Sequence, residues 1–156
     1  MWWLQRILTM GSRKPSPHLS WAEVSCRDGT PYPLKWRKSR LVLLTSVFED
    51  FRDYAGGYPL TIGSCFRTPK WNRKQGGARL SQHVQGRAID IHPHKKMTRE
   101  GFHTLAKMFA KEDERVGGLG WYHWGIHMDV RPRKKHRLAF WNQIPAGTLL
   151  HDTRIV

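Results

Sequence analysis

A chain of 156 residues, 39% hydrophobic and 25% charged, is long enough to bury one core and too short for two. No apolar run reaches the ~20 residues that cross a bilayer as a helix, which excludes a helical membrane span. Lys and Arg number 27 against 12 acidic residues, a formal net charge of +15, and a field of that sign attracts polyanions without choosing among them.

Residues 1–17 mix apolar residues, basic residues and prolines without a sustained period, and are expected to form a poorly ordered arm. The opening from Met1 to Leu8 is too short, and too early interrupted by Arg6, to read as a signal peptide, and Met10 offers an alternative start. Residues 18–33 carry turn chemistry at Asp28-Gly29-Thr30-Pro31 and at Pro33, which predicts a lid-like loop packed down by Leu19, Trp21 and Val24. Cys26 and Cys65 form no Cys-x-x-Cys pair. Two buried thiols are expected, with a single disulfide after export as the alternative.

Between residues 39 and 55, Leu41, Leu44, Phe48, Phe51 and Ala55 recur at steps of three and four, which predicts a helix ended by Gly56-Gly57. Glu49, Asp50 and Asp53 are expected on its solvated face. Residues 58–64 alternate as a strand that leads into Cys65-Phe66-Arg67-Thr68-Pro69, and residues 69–80 read as a loop.

The run Ser81-Gln82-His83-Val84-Gln85-Gly86-Arg87-Ala88-Ile89-Asp90 places a histidine in a glycine turn and, seven residues later, an aspartate in an alternating strand. Period two puts Ala88 and Asp90 on one face of that strand and Ile89 and Ile91 on the other. His92 and His94 flank Pro93, which breaks the strand, and are expected to be solvent-exposed rather than ligands. Thr98 should cap a second helix with Phe102, Leu105, Ala106 and Phe109 as its buried stripe.

Farther on, Ile126, Met128 and Val130 alternate with His127, Asp129 and Arg131, a second strand with one polar face. Two imidazoles and one carboxylate on rigid elements, His83, Asp90 and His127, with a fourth position left to water, describe a catalytic zinc site rather than a closed structural one. After Arg131 the basic run 132–137 and the aromatics Phe140 and Trp141 form a tail, read either as a solvated terminus or as a patch for anionic surfaces.

The order Ser-Gln-His-x-x-Gly-x-Ala-x-Asp, then Gly117-Gly118-Leu119-Gly120-Trp121-Tyr122, then Ile126-His127-x-Asp129-Val130-Arg131 resembles the zinc D-Ala-D-Ala carboxypeptidase family. That family includes phage L-alanyl-D-glutamate endopeptidases, and the hedgehog signalling domain shares its fold. The resemblance runs from about His18 to Arg131. It implies an α+β single domain, with a small antiparallel sheet carrying a zinc site and helices packed on one side. The expected division is an arm over 1–17, the zinc peptidase domain over 18–131 and a basic aromatic tail over 132–156.

By the same resemblance one Zn2+ per chain is expected on His83, Asp90 and His127, and Arg67 matches the arginine that grips a substrate carbonyl or carboxylate. A guanidinium suits that task because its planar fork makes paired hydrogen bonds. Many relatives carry a carboxylate three residues before the last zinc histidine, where this chain has Trp124. His123 is the candidate acid/base in its place, and Asp129 is the runner-up, better suited to orienting a ligand imidazole. The expected function is hydrolysis of peptidoglycan peptides by a phage or prophage lytic enzyme, as carboxypeptidase or endopeptidase. Such an enzyme would be a monomer acting in the cell envelope after release from the host cytoplasm, with anionic envelope polymers or lipids as further partners. Two other readings stand beside it: a hedgehog-like zinc domain that binds without cleaving, and a basic nucleic-acid binder, for which no specific motif is present.

Overall fold

The computed structural model describes residues 13–144. One five-stranded sheet organises the chain: β1 (Thr61–Ser64), β2 (Ala88–His92), β3 (Gly118–Tyr122), β4 (Gly125–Asp129) and β5 (Ala139–Asn142), in the order β1-β2-β4-β3-β5. Three of the four pairings are antiparallel as expected, but β5 runs parallel to β3, so the sheet is mixed. The α+β class and the single domain stand.

Alternation along each strand splits the sheet into an apolar and a polar face. Ile62, Ile89, Ile91, Leu119, Ile126 and Met128 are buried on the apolar side. Two long helices cover that side, α2 (Val42–Tyr54) and α4 (Arg99–Glu112). They meet through Phe51, whose ring lies 5.6 Å from Phe102 and 5.4 Å from Phe109. Phe51 is fully buried, and truncating such a ring to Ala costs about 3–5 kcal/mol. Thr98 caps α4 as expected, its hydroxyl accepting from the Gly101 amide at 3.0 Å.

Three local expectations need correction. The first concerns residues 18–33, which are more ordered than a lid. Ser20 and Glu23 form a reciprocal capping box on a short helix, α1 (Trp21–Val24), and Leu19 and Val24 are buried. Second, residues 69–80 are not all loop, because Pro69–Lys74 form α3. Proline there occupies the first turn, where no amide bond is lost, and Thr68 caps it by accepting from the Trp71 amide. The third is Glu49, which is not solvated. It is 2% exposed and accepts from the backbone amide and ring Nδ1 of His18 at 2.9 and 2.7 Å. Asp53 is exposed as expected, while Asp50 pairs with Arg115 at 2.7 Å.

Residues 1–12, most of the expected arm, and 145–156 of the expected tail lie outside the described residues. Within the described part, residues 139–142 form the edge strand β5. Cys26 and Cys65 are both buried free thiols, and burial pushes the Cys65 thiol up to about 12.

Candidate metal centre

The polar face is where the strands bring chemistry together. Asp90 on β2 stands directly across from His127 on β4, and Ala88 across from Asp129, so all four side chains share this face. Ser64 on β1 lies opposite Asp90 at the other edge. On β3 the opposing positions are Gly118, facing Asp129, and Gly120, facing His127. A Cβ on Gly118 would collide with the Asp129 carboxylate, and one on Gly120 with the indole of Trp141. The glycines thus admit a buried carboxylate and a tryptophan where side chains would otherwise stand.

His83 reaches the same point from a turn above the sheet. Gly86 closes that turn with φ +65, which favours glycine, and Tyr32 and Trp36 pack where its side chain would be. The Tyr32 hydroxyl donates to the Gly86 carbonyl, and the Arg67 amide donates to the His83 carbonyl at 3.1 Å.

His83 Nε2, Asp90 Oδ1 and His127 Nδ1 form a triangle with sides of 3.0, 3.1 and 3.1 Å. All three residues are buried. The outer ring nitrogens fix what each imidazole presents to it. His83 Nδ1 lies 2.6 Å from the Cys65 carbonyl, an acceptor only, so that nitrogen carries hydrogen and Nε2 offers a lone pair. His127 Nε2 donates to Asp129 Oδ2 at 2.9 Å, which leaves Nδ1 as its lone pair. Three acceptors so oriented repel one another unless a positive centre lies among them, either a proton or a cation.

The donor set fits zinc. Ligand atoms around a tetrahedral zinc, with bonds of about 2.0–2.2 Å, stand roughly 3.4 Å apart, so the triangle needs to open by only a few tenths of an ångström. Burial alone would raise the Asp90 pKa, but the His127 and His83 imidazoles beside it outweigh that and hold the carboxyl below its usual range. His83 is lowered by burial, which keeps its imidazole neutral. Burial also works against a charged His127, yet Asp129 and Asp90 overcome it and raise that pKa.

The supporting shell is complete. Asp129 is fully buried; its Oδ2 accepts from His127 and from the Arg131 guanidinium, and its Oδ1 from the Arg131 amide and Nε. Burial raises its pKa and these donors bring it down to about 2. Arg67 donates through Nη2 to Asp90 Oδ2 at 3.0 Å and through Nε to Ser64 Oγ at 2.8 Å, so it grips the face of Asp90 turned away from the triangle.

A family model described as Peptidase M15 matches residues 17–129, which contain the whole triangle and Asp129. The chain belongs to the peptidase M15 family. Membership makes it a zinc metallopeptidase by kind, a hydrolase whose metal set corresponds to the converging lone pairs of His83, Asp90 and His127. No curated protein matches the chain.

Not every expected residue of this M15 peptidase joins the site. His123 sits with Trp124 in the two-residue turn between β3 and β4, and Arg99 at the start of α4 lies 3.1 Å from its Nδ1. Three residues separate it from Gly120, the strand partner of His127, which is about 10 Å of strand. His123 is therefore not brought to the triangle. Asp129 is, but with both oxygens occupied it orients His127 rather than facing substrate. His92, two residues beyond Asp90 on the same face, is turned to the Trp124 carbonyl at 2.7 Å, in keeping with its exclusion from the ligands.

Sequence reasoning missed the aromatic side of the site. Trp141 on β5 lies 5.2 Å from the His127 ring, and its Nε1 donates to the Tyr122 hydroxyl at 2.9 Å. Tyr122 stacks on Trp124 at 4.7 Å. Parity with Gly118 and Gly120 was the available signal for Tyr122. Nothing local marked Trp141, because a basic run precedes its strand.

Proposed function

We propose that this M15 peptidase hydrolyses peptide bonds in the stem peptides or cross-links of bacterial peptidoglycan, as a phage or prophage lytic enzyme. The observation that carries the catalytic part is the triangle of inward lone pairs with both outer imidazole nitrogens already tied down. A zinc ion in that position supplies a Lewis acid able to activate water near neutral pH. The chain's own contribution is to hold the ligands. Asp129 fixes the His127 tautomer, the Cys65 carbonyl fixes that of His83, and Arg67 holds the outer oxygen of Asp90. Arg67 also remains the candidate to meet a substrate carbonyl or carboxylate, since it stands beside Asp90 and is partly exposed.

The net charge of +15 supports action at an anionic envelope, in or outside the periplasm, with wall or lipid polyanions as secondary partners and a monomer as the working form. Among the described residues no helix is long and apolar enough to cross a membrane. Digestion of purified peptidoglycan with the zinc-loaded protein, followed by mass analysis of the muropeptides, tests the reading: new free amino ends or released D-amino acids are expected, and an unchanged profile overturns it.

One observation favours a second reading, a zinc domain that binds without cleaving. Among the described residues the sheet's polar face carries only two carboxylates, Asp90 and Asp129, and both are committed to the metal shell. Retention on insoluble peptidoglycan without product would support it.

A further inference from the structure

We infer that the Tyr122 hydroxyl is a catalytic hydrogen-bond donor of this site, placed to meet the oxyanion that develops on a scissile carbonyl; this rests on the peptidase reading. Tyr122 shares the sheet's polar face with Gly118 and Gly120 by strand parity, two pairs along from the Gly120–His127 pair. Its ring does not run out to solvent at the strand end. The indole of Trp141 occupies the space a Gly120 side chain would take and donates to the phenol oxygen at 2.9 Å, drawing the hydroxyl back over Gly120. The same indole packs 5.2 Å from the His127 ring, so the hydroxyl and a metal ligand touch one shared side chain.

Protonation follows from the partner. Indole Nε1 can only donate, so it uses a lone pair of the Tyr122 oxygen and leaves the phenol hydrogen to point elsewhere. Among the described residues the hydroxyl makes no second hydrogen bond. The site therefore has a preoriented O–H next to the metal triangle and, as noted above, no free carboxylate. During hydrolysis, water oxygen bonds to the carbonyl carbon and the C=O π pair moves onto the carbonyl oxygen. When that pair returns, the C–N bond breaks and the amine leaves with a proton given up by the water. Tyr122 donates a hydrogen bond to the carbonyl oxygen and keeps its proton throughout. Stacking on Trp124, where many relatives carry a carboxylate, steadies the ring from its other side.

The test is Tyr122→Phe, which removes one oxygen and keeps the stacked ring. With zinc content and Tm unchanged, kcat on peptidoglycan is expected to fall about 10- to 100-fold with KM nearly constant, as for loss of one oxyanion donor. A second readout needs no turnover. Inorganic phosphate, a tetrahedral oxyanion, titrated into the cobalt-substituted protein and followed by its visible bands, should bind about 10-fold more weakly to the variant. Trp141→Phe, which releases the phenol from its anchor, should show a smaller loss in both readouts and serves as the test should the Tyr122 variant lose metal. Wild-type values in both measurements overturn the assignment, and so does a kcat loss without weaker phosphate binding. If the wild-type protein leaves peptidoglycan intact while Tyr122→Phe still weakens phosphate, the substrate reading fails and the hydroxyl assignment stands.

Discussion

His127 and Asp129 lie two residues apart on one strand and are joined by a 2.9 Å hydrogen bond from Nε2 to Oδ2, so the second residue sets which nitrogen the first turns toward the metal. Asp129→Asn keeps an acceptor but loses the charge that Arg131 and His127 both face. Zinc affinity is expected to drop about 10- to 100-fold, with activity recovered in excess zinc, as for other partners of metal-bound imidazoles. Competition with a chelating dye measures it.

His83→Ala should remove zinc binding and leave the fold. The core under α2 and α4 is independent of the triangle, so circular dichroism should be native-like. Chelation should lower the Tm of the wild type, by the linkage of metal to the folded state, and should not move that of the variant.

Arg67→Lys preserves charge and loses geometry. An ammonium cannot span Asp90 Oδ2 and Ser64 Oγ as the guanidinium does. Losing one charge-assisted bond is worth roughly 1.5–3 kcal/mol, so kcat/KM should fall about 10- to 100-fold. Near wild-type kinetics would make Arg67 a bystander.

How much of this was legible in the sequence varies residue by residue. His83, Asp90 and His127 were visible because strand parity and a glycine turn are local rules, and the same rules placed Asp129 correctly beside His127. His123, the nearest titratable group in sequence, stands at the hairpin turn, because nearness in sequence is not nearness in space. Along an extended strand each residue adds ~3.3 Å, so four residues carried it to the hairpin turn. Residues 69–80 were read as a loop although a capping threonine followed by Pro69 signals a helix start. Glu49 looked solvated because its partner, His18, is 31 residues away.

Glu49 also makes stability depend on pH. Burial raises its pKa, but the neighbouring Ser16 hydroxyl and the hydrogen bonds from His18 outweigh that and leave it below its ordinary 4.5. The unfolded chain therefore takes up this proton first as pH falls. The stabilisation is whole above about 4.5 and is lost as pH drops through the lower folded value. Glu49→Gln should cost roughly 1–3 kcal/mol at neutral pH and flatten the acid side of a Tm-against-pH curve.

Cys65, buried and pushed up to about 12, and Cys26, buried against Thr68, should resist alkylation in the native protein at neutral pH. Mass spectrometry after iodoacetamide should show neither modified until denaturant is added, and no disulfide at any stage.

The parallel pairing of β5 with β3 has a consequence for where this enzyme can be cut or fused. The family match stops at residue 129, yet the tryptophan flanking the metal triangle arrives at 141, on a strand that enters the sheet from its far edge. A boundary drawn at the end of the shared motif would deliver every zinc ligand and half an active-site wall. Substitutions in that last strand can therefore reshape the wall beside the metal triangle while the ligands upstream stay the same.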